Sequence, residues 1–173
     1  MIDKRTKSIE EALHGISDGA SVMVAGFGRA GWPLKLMAGL ANLKVRDLTL
    51  IANAVISRYE EMGHIFKSGI IGKVVTSAAR SGEGKSFFEQ QWRSGQVQLE
   101  CVPQGTFVER IRAGAVGMPA FFSRVGVGTD LTANKETRIF GGVEHVLETA
   151  ITADYALIRS DCADRFGNLS FRH

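Results

Sequence analysis

Ser21-Val22-Met23-Val24-Ala25-Gly26-Phe27-Gly28-Arg29-Ala30-Gly31-Trp32-Pro33 passes from strand to turn to helix within one short stretch. It opens as an apolar run of strand type. Three glycines, Gly26, Gly28 and Gly31, then break the run. Pro33, whose ring presets the φ of a first helical turn, predicts a helix reaching about Leu40. Glycines let the backbone bend sharply and let a ligand approach it closely. The N–H groups left unpaired at the helix start are expected to face an anion or a developing negative charge.

The spacing Gly26-x-Gly28-x-x-Gly31 also matches the dinucleotide fingerprint. A nicotinamide site needs an acidic residue about 20 positions on, at the end of the next strand, to hold the ribose. Here that strand, Leu48 to Ala52, ends in Asn53, and Asp47 precedes it at the wrong end. The missing acid counts against a nicotinamide enzyme. A tight turn that uses glycine for geometry alone stays open.

At 173 residues the chain has the length of one domain with room for a real core. Glycine is abundant, at 20 residues, and proline scarce, at 3, which points to tight turns and not to a low-complexity linker. A net charge of +3, with no basic stripe interleaved with aromatics, gives no case for nucleic acid. The small excess suits an anionic ligand, and surface solvation explains it equally well. Cys101 and Cys162 are the only cysteines and form no CxxC motif. The charged start, Ile2-Asp3-Lys4-Arg5, leads into no apolar signal segment, and no apolar run approaches the ~20 residues of a membrane span. A cytoplasmic, reducing setting is expected.

Outward from the glycine stretch, Ser8-Ile9-Glu10-Glu11 reads as a capping box, with Glu11 returning to the Ser8 N–H. Asp18-Gly19 turns the chain into the first strand. Arg58 to Lys67 reads as a helix with Tyr59, Met62 and Phe66 inward, Val74 to Thr76 as a buried strand, and Ser81 to Gly84 as a loop. Lys85 to Arg93 reads as a helix stopped at Gly95. Val97 to Val102 alternates like a strand, with Cys101 on the apolar face as an inert thiol. Strands alternating with short helices give an α/β fold with a mostly parallel sheet, flanking helices, and glycine-rich loops at the strand C-terminal rim. Ligands of such sheets sit beyond that rim. Gly26 to Gly31, Asn53 and Pro103-Gln104-Gly105-Thr106 all fall there.

The last third changes character. Gly114 to Pro119 and Val125 to Thr129 read as long glycine loops. Gly141-Gly142 between Thr137–Phe140 and Val143–Leu147 is a hairpin signal. Tyr155 to Arg159 reads as a buried strand, and Asp164 to Asn168 as a turn into Leu169-Ser170-Phe171.

Reactive groups are few. His14, His64, His145 and His173 lack partners at metal-ligand spacing, so no metal site is expected. Gly15-Ile16-Ser17-Asp18-Gly19 spells a nucleophile elbow but runs from helix to strand, the reverse of one. A Walker A loop is absent. Glu109 with Arg110 reads as a salt-bridged helix face. The chain thus offers donors for charge stabilisation, Asn53, Gln104 and glycine N–H groups, without an evident nucleophile. The reactive group is expected from another chain.

Several blocks stand together in a recognisable order: Ala25-Gly26-Phe27-Gly28-x-x-Gly31-x-Pro33, Pro103-Gln104-Gly105-Thr106-x-x-Glu109-Arg110-Ile111-Arg112-Ala113-Gly114, Gly126-Val127-Gly128-Thr129, Lys135-Glu136-Thr137-Arg138, and Ala153-Asp154-Tyr155-Ala156-Leu157-Ile158 with Gly167-Asn168-Leu169. The set closely resembles the alpha (A) subunits of family I 3-oxoacid CoA-transferases. The resemblance implies an enzyme active only with a homologous B subunit, in a heterodimer or a larger assembly. It moves coenzyme A from an acyl-CoA, usually succinyl-CoA, to a carboxylic acid such as acetoacetate or 3-oxoadipate. Transfer passes through a glutamyl-CoA thioester on the B subunit, with no permanently bound cofactor.

Carried over by residue, Ala25, Gly26, Phe27, Gly28, Arg29, Ala30 and Gly31 match the family's CoA segment. Gly28, Asn53 and Gln104 are expected to support the oxyanion and thioester chemistry, and Arg80 to pair with a second substrate carboxylate. Ala25 stands where the family usually has glycine, and Asn53-Ala54 where it often has two asparagines. The family chain continues past the position of His173, so a single domain over 1–173, cut short at its C-terminal end, is expected. A non-catalytic CoA- or nucleotide-binding relic is the alternative.

Overall fold

The computed structural model describes residues 2–28, 30–55, 60–79 and 86–172. Ser8 caps α1 (Ile9–Leu13), its hydroxyl accepting from the Glu11 amide at 3.1 Å. The Glu11 carboxylate takes the Lys7 amide at 2.7 Å, so the reciprocal half of the capping box sits one residue further out than expected. β1 (Ser21–Val24) follows, and the next elements alternate helix and strand: α2 (Leu34–Ala41), β2 (Leu48–Ala54), α3 (Glu60–Lys67), β3 (Ile71–Ala78), α4 (Phe87–Arg93), β4 (Gln98–Cys101) and α5 (Gln104–Ala115). Positions 58, 59 and 81–85 of the expected helix starts and loop lie outside the described residues. Ser86 caps α4, and Gly95, at φ 77°, ends it as expected.

β8 (Tyr155–Leu157) completes a sheet of order β4-β3-β2-β1-β8 in which every neighbouring pair is parallel. The order explains the layers. From β1 to β4 each strand is added on the same side of the last, so crossovers of one hand put their helices on one face. Leu13, Met37, Leu40, Met62, Phe66 and Phe88 from α1–α4 pack there against Val22, Leu48, Leu50 and Val74. The chain then reverses, crossing to β8 on the far side of β1. α5 accordingly covers the opposite face, where Phe107 and Ile111 meet Ile51, Val75 and Met23. β2 feeds both layers, with Leu48 and Leu50 on one face and Ile51 on the other.

The last third builds a second sheet of order β5-β7-β6, all antiparallel, from β5 (Ala120–Ser123), β6 (Thr137–Phe140) and β7 (Val143–Thr149). Gly141 and Gly142, at φ 56° and 76°, make the two-residue hairpin that joins β6 to β7. β9 (Cys162–Ala163) and β10 (Leu169–Ser170) form a small hairpin. Its turn is held by the Asp164 carboxylate, which accepts from the Phe166 and Asn168 amides.

Two segments depart from the sequence pattern. Gly114 is not in a loop: α5 runs through it to Ala115, because a helix face with no side chain lets it approach the backbone of Ile151 closely. A Cβ at Gly114 would stand 2.3 Å from the Ile151 carbonyl oxygen. Arg110 does not pair with Glu109. It turns inward, donating to Glu100 at 2.7 Å and to the Thr149 carbonyl at 2.6 Å, while Glu109 takes Arg112 instead. Arg110 lies 3.9 Å from the fully buried carboxylate of Glu148, which Lys135 also meets at 2.7 Å. With Lys73 on Glu100 at 2.8 Å, the chain Lys73–Glu100–Arg110–Glu148–Lys135 ties the parallel sheet, α5 and the second sheet together.

Candidate active site

Strand order reverses between β1 and β8, and in open α/β sheets ligands bind outside the carboxyl ends at such a switch point. A cavity of about 1300 Å³ opens there. One wall comes from the turn after β1, with Ala25, Gly26, Phe27, Ala30 and Gly31. Asn53 at the end of β2 and the first turn of α5 form the floor, and β5 with the segment after β8 closes the far side.

Asn53 and Gln104, remote in sequence, meet in this cavity. Gln104 Nε2 donates to Asn53 Oδ1 at 2.9 Å. The Ser77 hydroxyl lies 3.0 Å from the same Oδ1 and 2.8 Å from the Asn53 carbonyl oxygen, and Thr76 Oγ1 donates to that carbonyl at 3.2 Å. These contacts occupy the Asn53 acceptors. Its amide N–H groups have no partner among the described residues, so the side chain presents donors to a ligand. Next to it stands the start of α5. Pro103 sits at the cap position with no side-chain cap, and the N–H groups of Gln104, Gly105 and Thr106 have no partner among the described residues. The Thr106 hydroxyl is buried and also without a partner there. Amide donors and the positive end of a twelve-residue helix thus converge on one spot, suited to negative charge.

The glycine stretch behaves otherwise than expected. Phe27 and Ala30 exchange both backbone hydrogen bonds, so the chain doubles back in a tight turn. The Trp32 ring lies on Gly26, where a Cβ would stand 2.4 Å from Trp32 Cδ2, and its Nε1 donates to the Gly28 carbonyl at 3.2 Å. The cavity lining ends at Gly31 on this side, so Trp32, Pro33 and the start of α2 contribute nothing to it. Gly28, at the tip of the turn, stays off the lining as well, while Ala25, Gly26, Phe27, Ala30 and Gly31 are on it. Arg29 and Arg80 lie outside the described residues.

The helix start on the described lining is that of α5 and not that of α2, which follows the glycine pattern. Pro103 just before the helical spacing of Phe107 and Ile111 is the signal that marks this start. Ser77 carries no signal of its own. Further back, burial opposes ionisation of Glu100, but the hydrogen bonds from Lys73 and Arg110 outweigh it and hold its carboxyl below the usual glutamate range. Among the described residues no group of three or more His, Cys, Asp or Glu is placed to hold a metal ion. No described helix is long and apolar enough to cross a membrane.

Residues 6–173 match the family described as Coenzyme A transferase. The chain is 43% identical over 172 residues to the A subunit of the 3-oxoadipate CoA-transferase of Pseudomonas putida, covering 99% of this chain and 74% of that one. It is 43% identical over 170 residues to the A subunit of the succinyl-CoA:3-ketoacid coenzyme A transferase of Xanthomonas campestris, covering 98% and 69%. Among solved structures, glutaconate coenzyme A-transferase from Acidaminococcus fermentans superposes with a TM-score of 0.82 at 16% identity, over 96% of this chain and 59% of that one, a likeness of fold.

Proposed function

This chain belongs to the coenzyme A transferase family, and on that footing we propose that it is the A-type half of a transferase that moves coenzyme A from an acyl-CoA to a 3-oxo acid. A B-type partner supplies the attacking glutamate, and a glutamyl-CoA thioester links the two half-reactions. Succinyl-CoA is the donor, and coenzyme A is bound only as part of a substrate. The setting is cytoplasmic, a reading supported by the free thiols of Cys101 and Cys162.

The observation that carries this reading is the Asn53–Gln104 amide pair beside the bare first turn of α5. Attack of a carboxylate on a thioester gathers negative charge on the carbonyl oxygen. A preformed donor at that point is worth about 2.7–4 kcal/mol, because it needs no reorganisation when the charge appears. Asn53 and Gln104 are those donors. The two acidic side chains of the described lining, Glu109 and Asp161, stand in ion pairs with Arg112 and Arg172. Ala25, Gly26, Phe27, Ala30 and Gly31 hold the thioester end of coenzyme A against these donors.

Trapping tests the reading. In the co-produced pair, acyl-CoA followed by hydroxylamine or borohydride modifies a glutamate of the partner; an adduct on this chain overturns the assignment. Asn53→Ala and Gln104→Ala each lower kcat about 10²–10³-fold. Wild-type rates for both would remove the amide pair from the chemistry.

A further inference from the structure

Four charged side chains line the described cavity: Glu109, Arg159, Asp161 and Arg172. Glu109 is engaged by Arg112 at 2.7 Å. Asp161 accepts from the Arg172 amide at 2.8 Å, with the guanidinium 3.4 Å away. Arg159 alone has no hydrogen bond or ion pair among the described residues. The described lining also includes the apolar Phe121, Val125 and Ile158 and the polar Ser160 and Asp161.

The sheet fixes how far the segment that carries Arg159 stands from Asn53. Leu157 of β8, Val24 of β1 and Ala52 of β2 form one row across the strands. Leu157 and Ala52 are therefore two strand spacings apart, about 10 Å. Asn53 follows Ala52 by one residue, and Arg159 follows Leu157 by two. Both rise from the same rim of the cavity.

We infer that Arg159 holds the free carboxylate of a dicarboxylic acyl group whose reacting end lies against Asn53 and Gln104. The inference rests on the transferase reading and names the substrate class it serves. A separation of that order suits a ligand chain of a few carbons, given the reach of an arginine. The phosphates of coenzyme A lie beyond the long pantetheine arm, much further from the thioester carbon. A planar guanidinium also matches a carboxylate in bidentate fashion. In a ping-pong transfer one acyl site serves both half-reactions. The same arginine then receives the free carboxylate of the donor acyl-CoA and of the acceptor acid.

The test uses the co-produced pair with 3-oxoadipate and acetoacetate as acceptors, and succinyl-CoA and acetoacetyl-CoA as donors. The wild-type pair favours the substrates with a second carboxylate. Arg159→Met lowers the ratio of kcat/KM for dicarboxylic over monocarboxylic substrates about 10- to 100-fold, on both the acid and the CoA side. The change falls mainly in KM, and Arg159→Lys restores part of it. A merely structural arginine would lower all four values together and keep the ratio, which overturns the proposal. So does a rise in KM for both CoA esters with none for free 3-oxoadipate, since the cation would then serve coenzyme A itself. A ratio that collapses in Arg80→Met and survives in Arg159→Met overturns it as well. Equilibrium titration with adipate and hexanoate separates the two readings. A pair that transfers coenzyme A to no acid, yet prefers adipate and loses that preference in Arg159→Met, sinks the transferase reading and upholds this one.

Discussion

The turn after β1 and the turn after β4 both lead from a parallel strand into a helix, and they are built in opposite ways. The first carries the glycine fingerprint, yet the Trp32 ring rests on Gly26 and the start of α2 lies off the described cavity lining. The second has one glycine and a proline, yet it presents the bare first turn of α5 to the cavity beside Asn53. A glycine pattern therefore reports what the backbone must do, and the side chain that follows decides whether a ligand gains from it. At Gly26 the gain goes to packing: φ is 137° and the indole occupies the space a Cβ needs. At Gly105 a Cβ would meet nothing within 4 Å, so the space belongs to the cavity.

The sharpest way to break the contrast is to release the second turn from behind. Arg110→Met leaves Glu148 and Glu100 short of a buried cation, at a cost of about 3–5 kcal/mol of stability in urea unfolding. It also lowers transfer activity, because α5 carries Gln104. Close behind comes the first turn: Gly26→Ala forces a methyl into Trp32 at a φ that side chains rarely adopt. About 2–4 kcal/mol is lost, seen as a fall in the thermal midpoint. If Gly26→Ala proves neutral, the packing role assigned to Trp32 is wrong.

Acid gives a milder probe of the same clamp. Glu100 has a depressed value in the folded state, so its contribution is present above the unfolded value near about 4.3 and is lost as pH falls through the folded one. Stability of the wild type drops below about pH 4, and Glu100→Gln gives a shallower acid limb. The smallest effect belongs to Gly105→Ala. Stability rises by up to about 0.5–1 kcal/mol from the lower entropy of the unfolded chain. Transfer activity falls as the methyl enters the lining, a divergence that separates the two turns in a single variant.

Local pattern made much of this fold legible. The alternation of Val97 to Val102, the Gly95 stop, the Ser8 cap and the Gly141-Gly142 hairpin all depend on neighbours in sequence, and each stands where the pattern puts it. What was not legible depends on distant partners. Ala120–Ser123 became a strand only because β7 offers it an edge, and nothing in Ala-Phe-Phe-Ser announces that register. Arg110 reads as a surface charge until Glu100, Glu148 and Thr149 are brought around it. Asn53 and Gln104 were legible as donors at the strand rim, while their contact needed the sheet order to join them. The Trp32 indole that packs on Gly26 and donates to the Gly28 carbonyl is a contact the glycine spacing does not foretell.

The close seat of Gly114 on Ile151 has one more consequence. A helix that meets a neighbouring main chain with no side chain between them cannot slide or roll without collision, and the Ile151 amide bonded to the Arg110 carbonyl at 2.9 Å locks the same level. The donors at its far end are therefore held in place before any substrate arrives, and the freedom lost on binding falls to the ligand. Evolution of new acyl preferences in this chain then has to work on the opposite wall, in β5 and the segment after β8, where replacement leaves the anchored helix untouched.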